Sequence, residues 1–96
     1  MPFELSYKLN GVKFDGVKNG VLLDAKSGYA KFIDPQSGTF YSWFRGASSL
    51  VEQAERQTLA AQGMPIAWHF DSEKAMRCVQ HLLQGKNNTI TCIFTP

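Results

Sequence analysis

The sequence predicts one small domain of mixed α/β (α+β) class. Its sheet is a mixed one, built from a β-meander followed by helix, strand, helix and strand. Three observations carry this. Turn signals at Asn10-Gly11 and Lys18-Asn19-Gly20 cut the first third into short strands. Two later segments carry apolar residues at helical spacing. An apolar strand-like run follows each of them, and such alternation points to crossover units.

The elements follow in order. "FELSYKL" alternates apolar and polar residues as a first strand, and "VKFDGV" returns after the Asn10-Gly11 turn. "VLLDAK" is the third strand of the meander. Residues 34–42, "DPQSGTFYS", are rich in turn formers and read as a loop. A helix is expected from roughly Ser49 to Gln62, with Ser49 and Glu52 at capping-box spacing and Gly63 as its stop, an earlier start near Trp43 being the alternative. After Pro65, "IAWHF" is a short strand. Asp71 or Ser72 caps a second helix with Ala75, Met76, Val79, Leu82 and Leu83 on one stripe, and Gly85 ends it. "TITCIF" is the last strand. "VLLDAK" and "TITCIF" are apolar on both sides, so helices are expected to cover both sheet faces.

Composition excludes several classes. The 96 residues are 44% hydrophobic and 19% charged, a globular rather than a disordered balance. At this length roughly 60–65% of the unfolded surface can be buried, enough for one core and one site at its edge. No apolar run reaches about 18 residues, so no membrane span is expected. The N-terminal "MPFELSYKLNG" lacks the pattern of a secretory signal. A net charge of +2 does not by itself point to nucleic acid. Cys78 and Cys92 lack CxxC spacing and read as buried thiols, and His69 and His81 lie in no metal-binding pattern.

The stretch that bears chemistry is "VLLDAK". Side chains alternate along a strand, so Asp24 and Lys26 share a face with Leu22, while Val21, Leu23 and Ala25 take the other. A lone acid and base two apart would ordinarily be a surface ion pair of little energetic value. Here they end an apolar run, and a second acid, Asp15, lies in the preceding strand beside Gly16, a residue suited to a bulge. The first helix adds to the set. At about 100° per residue, Gln57 falls within about 20° of Leu50 on the packed face, with Gln53 about 40° further round. Two exposed glutamines would fit the pattern as well as two amides facing the acid–base pair. Two carboxylates from neighbouring strands can hold a hard divalent cation through oxygen ligands. Such a cation activates water and neutralises phosphate charge, and a lysine beside it can orient the water or stabilise the developing charge. That combination suits phosphodiester hydrolysis.

Asp15, then Asp24-Ala25-Lys26, then a helix with Gln53 and Gln57, resembles the PD-(D/E)xK nuclease superfamily with its restriction-endonuclease-like core. More closely, "FDGVKNGVLLDAKSGYA", "WFRGASSLVEQAERQ" and "MPIAWHF" resemble the restriction endonuclease fold toxin family, group five. The resemblance implies that Asp15, Asp24 and the backbone carbonyl of Ala25 are metal ligands. It implies that Lys26 is the catalytic lysine, and that Gln53 and Gln57 position substrate or lysine. Magnesium is the implied metal, with manganese as the substitute, and no small-molecule cofactor is expected. The sequence departs from the superfamily in placing Phe14, not proline, before Asp15, and in starting with a strand; Glu4 is the available earlier acid.

The resemblance also implies that residues 1–96 form a single nuclease toxin domain, the C-terminal part of a larger effector used against competing bacteria. Its expected substrate is DNA, with RNA as the alternative. Its expected partner is a cognate immunity protein. It would reside in the producer's cytoplasm while inhibited and reach the target cytoplasm through a secretion system such as type VI. The reading from another class is a non-catalytic interaction module with a nuclease-like fold. Trp43, Trp68 and Phe70 are expected to pack in the core or at a domain edge, Tyr29 to line the cleft or pack under its loop, and His69 to be structural.

Overall fold

The computed structural model describes residues 7–96. Glu4 and the first part of "FELSYKL" lie outside the described residues. The elements are β1 (Tyr7–Leu9), β2 (Val12–Phe14), β3 (Gly16–Lys18), β4 (Val21–Lys26), α1 (Gly46–Ala61), β5 (Ile66–Phe70), α2 (Glu73–Leu83) and β6 (Ile90–Phe94), with a 3-10 turn at Ala30–Phe32. The expected order of the helices and later strands is met. The second expected strand is not one element. "VKFDGV" breaks at Asp15 into β2, which pairs with β1 in a separate hairpin, and β3, which joins the main sheet. The bend lies beside Gly16, where the sequence suggested a bulge.

The main sheet runs β3-β4-β5-β6, with β3 antiparallel to β4, and β4, β5 and β6 mutually parallel. Each parallel step needs a crossover, which α1 and α2 supply. Two successive crossovers in one direction, each right-handed as the rule requires, put both helices on one face. Residues of both helices accordingly share one core with Leu22, Ile66, Trp68 and Phe70. The expectation that helices cover both faces is therefore corrected. The edge strand β6 is open, leaving Ile93 37% and Phe94 38% exposed.

The central strand β5 is the best buried element, with Ile66 and Trp68 fully enclosed. Removing a side chain of that size from water contributes about 1.5–3 kcal/mol. Ser72 caps α2 by accepting from the Ala75 N–H at 3.2 Å, as its sequence suggested. The α1 capping box does not form. The helix begins three residues before Ser49, at Gly46, with Arg45 as N-cap and no side-chain cap. Packed rings lie just before that start: Phe44 stacks on Phe32 at 4.2 Å, and Tyr29 meets Phe44 edge-on at 6.4 Å. Trp43 packs at the domain edge rather than in the core: it stacks on Tyr41 at 5.2 Å and meets Phe32 edge-on at 6.2 Å while remaining 63% exposed. Cys78 is a buried free thiol, whereas Cys92 is only half-buried because β6 is an edge. Among the described residues no helix is long and apolar enough to cross a membrane.

Candidate functional site

Strand β4 delivers the acid–base pair to the helix-covered face. Leu22, Asp24 and Lys26 alternate inward, and Asp24 and Lys26 are each only 6% exposed. Lys26 Nζ donates to Asp24 Oδ2 at 2.7 Å. This is a buried ion pair, not a surface one, and it does not stand clear of the core at the strand end. Parallel pairing places Trp68 of β5 in register with Asp24. The Lys26 ammonium lies 4.4 Å from the Trp68 ring centroid. Attraction to the ring face offsets part of the cost of burying that charge.

Helix α1 closes the cluster from above. Its Gln57 is fully buried and Gln53 half-buried, matching the geometry expected from the helical wheel. Lys26 Nζ donates to Gln53 Oε1 at 2.7 Å. The amides of Gln53 and Gln57 donate to Asp24 Oδ2 at 3.4 and 3.2 Å. Trp68 Nε1 donates to Gln57 Oε1 at 2.8 Å, which fixes the orientation of the Gln57 amide. Asp24 Oδ2 thus accepts from three donors. An ammonium has three N–H donors, and two on Lys26 are accounted for by Asp24 and Gln53.

Asp15 approaches from the break between β2 and β3. Its backbone N–H donates to Leu23 O at 2.9 Å, and its Oδ2 accepts from the Ala25 N–H at 2.7 Å. The side chain thereby extends the hydrogen bonding to β4 beyond the first residue of β3. Within a strand, one residue's N–H and C=O face the same neighbour, so the Ala25 carbonyl faces this side too. Burial pushes the Asp24 carboxyl above its ordinary 3.8; the Lys26 charge opposes that, and the adjacent Asp15 carboxylate reinforces it. Burial and the Asp24 charge likewise push the Tyr29 phenol up.

The fold therefore brings Asp15, Asp24, Ala25, Lys26, Gln53 and Gln57 together. Sequence reasoning did not include Trp68 in the cluster. Its signal is the parallel β4–β5 register, which the sequence does not display. Among the described residues no group of three or more His, Cys, Asp or Glu side chains converges. The oxygen atoms a cation could meet here would be those of two carboxylates and one backbone carbonyl. That donor set fits a hard cation that keeps several waters, and the mutual repulsion of Asp15 and Asp24 is what such a charge would relieve.

A four-stranded mixed sheet with two helices, and an acid–x–lysine pair on its second strand, defines a restriction-endonuclease-like fold. The model of the restriction endonuclease fold toxin 5 family matches residues 4–73, and the chain belongs to that family. No curated protein and no solved structure matched the chain.

Proposed function

We propose that this domain is a metal-dependent nuclease toxin that hydrolyses phosphodiester bonds. Membership of a restriction endonuclease fold toxin family supports the coarser reading, a nuclease toxin. The observation that carries the finer one is the buried Asp24–Lys26 pair, 2.7 Å apart, with Asp15 alongside. Burying a charge pair costs several kcal/mol per ion before attraction is counted, so a cluster of this kind suggests a task beyond stability.

Asp15, Asp24 and the Ala25 carbonyl would hold the divalent cation, most simply magnesium. When bound, that cation lowers the pKa of a coordinated water and neutralises phosphate charge. The chain's own groups do the rest. Gln53 and Asp24 hold the Lys26 ammonium in one place. Its remaining N–H can donate to a phosphate oxygen or to the attacking water. Gln57, held by Trp68, keeps Asp24 Oδ2 occupied, so the other carboxylate oxygen is the one left for a cation. A donor fixed before reaction stabilises developing charge without reorganisation.

DNA of a competing bacterium is the proposed substrate, RNA the second choice. Delivery by a secretion system and neutralisation by an immunity protein belong to the same proposal. A non-catalytic module is the competing reading, favoured by one fact: among the described residues every buried side-chain nitrogen or oxygen already has at least one partner. Plasmid nicking with magnesium, against EDTA, separates the two. Cleavage by the wild type that is lost in Asp24→Asn/Lys26→Met supports the enzyme. No cleavage of DNA or RNA by folded wild-type protein with magnesium or manganese refutes it.

A further inference from the structure

The β1–β2 hairpin is fixed to α1 by a contact that local structure does not require. Asn10 and Gly11 form the turn with left-handed φ of 51° and 81°. The Asn10 side chain then reaches across fifty residues of sequence and donates to the Ala60 carbonyl at 2.7 Å. Ala60 lies in the last turn of α1, where carbonyls lack helical partners. The hairpin thus caps the helix, and the spacing between the two is set.

A groove of about 240 Å³ lies between them, lined by Gly11, Val12, Lys13, Gln53, Arg56 and Gln57. Two of these, Gln53 and Gln57, are also the amides that bind Asp24. The groove and the buried cluster therefore share a wall. Its charged residues are both cations. Lys13 and Arg56 are exposed, and neither has an ion-pair partner among the described residues. A second feature points the same way. Lys8 and Lys13 are directly opposed in the β1–β2 register, both exposed. Like charges directly opposite one another destabilise a strand pair, so this pair opposes the hairpin's stability and raises the positive potential beside the groove.

We propose that this groove binds the phosphodiester backbone of the substrate strand next to the scissile bond, with Lys13 and Arg56 on its two walls and Lys8 behind them. The ligand class follows from the lining: cations and side-chain amides with little apolar surface suit phosphates, not bases. The inference rests on the nuclease reading and specifies where the substrate strand runs. It makes Lys13 and Arg56 binding residues that leave the chemical step to the buried cluster.

The test is Lys13→Gln/Arg56→Gln, compared with Lys74→Gln/Lys86→Gln, which removes the same charge from other parts of the surface. Binding of a fluorescent oligonucleotide is measured by anisotropy in calcium over a range of salt, and cleavage in magnesium. Each phosphate contact contributes about 0.7–0.9 to the salt slope of log K. The groove variant should lose about 1.4–1.8 from that slope, with a raised KM and little change in kcat, while the control pair keeps the wild-type slope. Equal losses in the two variants overturn the proposal, because general attraction would then explain binding. Wild-type slope and KM in the groove variant, with cleavage intact, overturn it while leaving the nuclease reading standing, and would turn attention to an acidic protein surface as the ligand of these cations. Failure of the wild type to bind or cut any nucleic acid overturns both.

Discussion

The indole N–H of Trp68 donates to Gln57 Oε1 at 2.8 Å, and the same amide donates onward to Asp24 Oδ2 at 3.2 Å. A core aromatic thus orients the buried acid through one intermediary. An amide has a donor end and an acceptor end, and here the two serve different strands: β5 receives the acceptor and β4 the donor. Leaving a buried group unpaired costs about 1–3 kcal/mol. Trp68→Phe should lose about that much in urea unfolding, plus a contribution from lost volume. Gln57→Leu should cost at least as much, because it strands both the indole and one Asp24 contact. The two substitutions should not add, since they break one chain. Fully additive losses would show that the chain is not an energetic unit.

The Lys26–Asp24 pair makes a sharper demand. A lysine at an open strand end would tolerate truncation, but this one is 6% exposed beside a 6% exposed acid. Removing one member of a buried pair typically costs 3–5 kcal/mol, about that because the other charge is left unpaired. Lys26→Met should therefore lower stability as well as cleavage. Asp24→Asn/Lys26→Met removes both charges and should recover most of the stability while remaining inactive, with cleavage down by at least about 10²–10³-fold. The double variant is the proper inactive control. If Lys26→Met melts like the wild type, the burial argument is wrong; if the double variant cuts, the mechanism is.

The contrast between what was and was not legible in the sequence follows from range. Alternation along β4 and the helical angle between Leu50 and Gln57 are local, and both put the right side chains on the right faces. The break of "VKFDGV" is not local. Phe14 is buried in the core and Gly16 pairs with Leu23, so Asp15 must turn the chain from one sheet to the other. The place of Trp68 under Lys26 depends on a parallel register between strands separated by residues 27–65. The capping-box spacing pointed to Ser49 as the α1 start, but the helix begins at Gly46, nearer the Trp43 alternative, directly after a cluster of packed rings and with no polar cap.

Gly46 tests that last point. Alanine is favoured over glycine within a helix by up to about 1 kcal/mol, so propensity alone predicts that Gly46→Ala stabilises α1. A Cβ at Gly46 would instead run into the Phe44 ring. That ring has little room to move, being stacked on Phe32 at 4.2 Å and met by Phe40 at 5.1 Å. Overpacking of this kind costs about 1–3 kcal/mol, so the clash should win and Gly46→Ala should melt at a lower temperature. A higher melting temperature would mean that Phe44 moves freely and does not define the start of the helix.

The pH dependence follows from Asp24. Burial raises its folded value above 3.8, aided by Asp15 and opposed by Lys26. A group that holds its proton more tightly when folded contributes stability below the unfolded value and loses that contribution as pH rises through the folded one. In metal-free protein, the wild type should therefore lose stability relative to Asp24→Asn across the window that begins near 3.8 and ends above the folded value. Asp15→Asn removes the reinforcing charge, so it should lower the upper end of the window and narrow it. A cation must displace the Asp24 proton, so magnesium affinity should fall by up to about tenfold per pH unit below the folded value. Calorimetric titration at several pH values, with proton release read from buffers of different ionisation enthalpy, checks this. Magnesium affinity that is flat across the window would show that Asp24 is not a ligand, and the two-carboxylate site would fall with it.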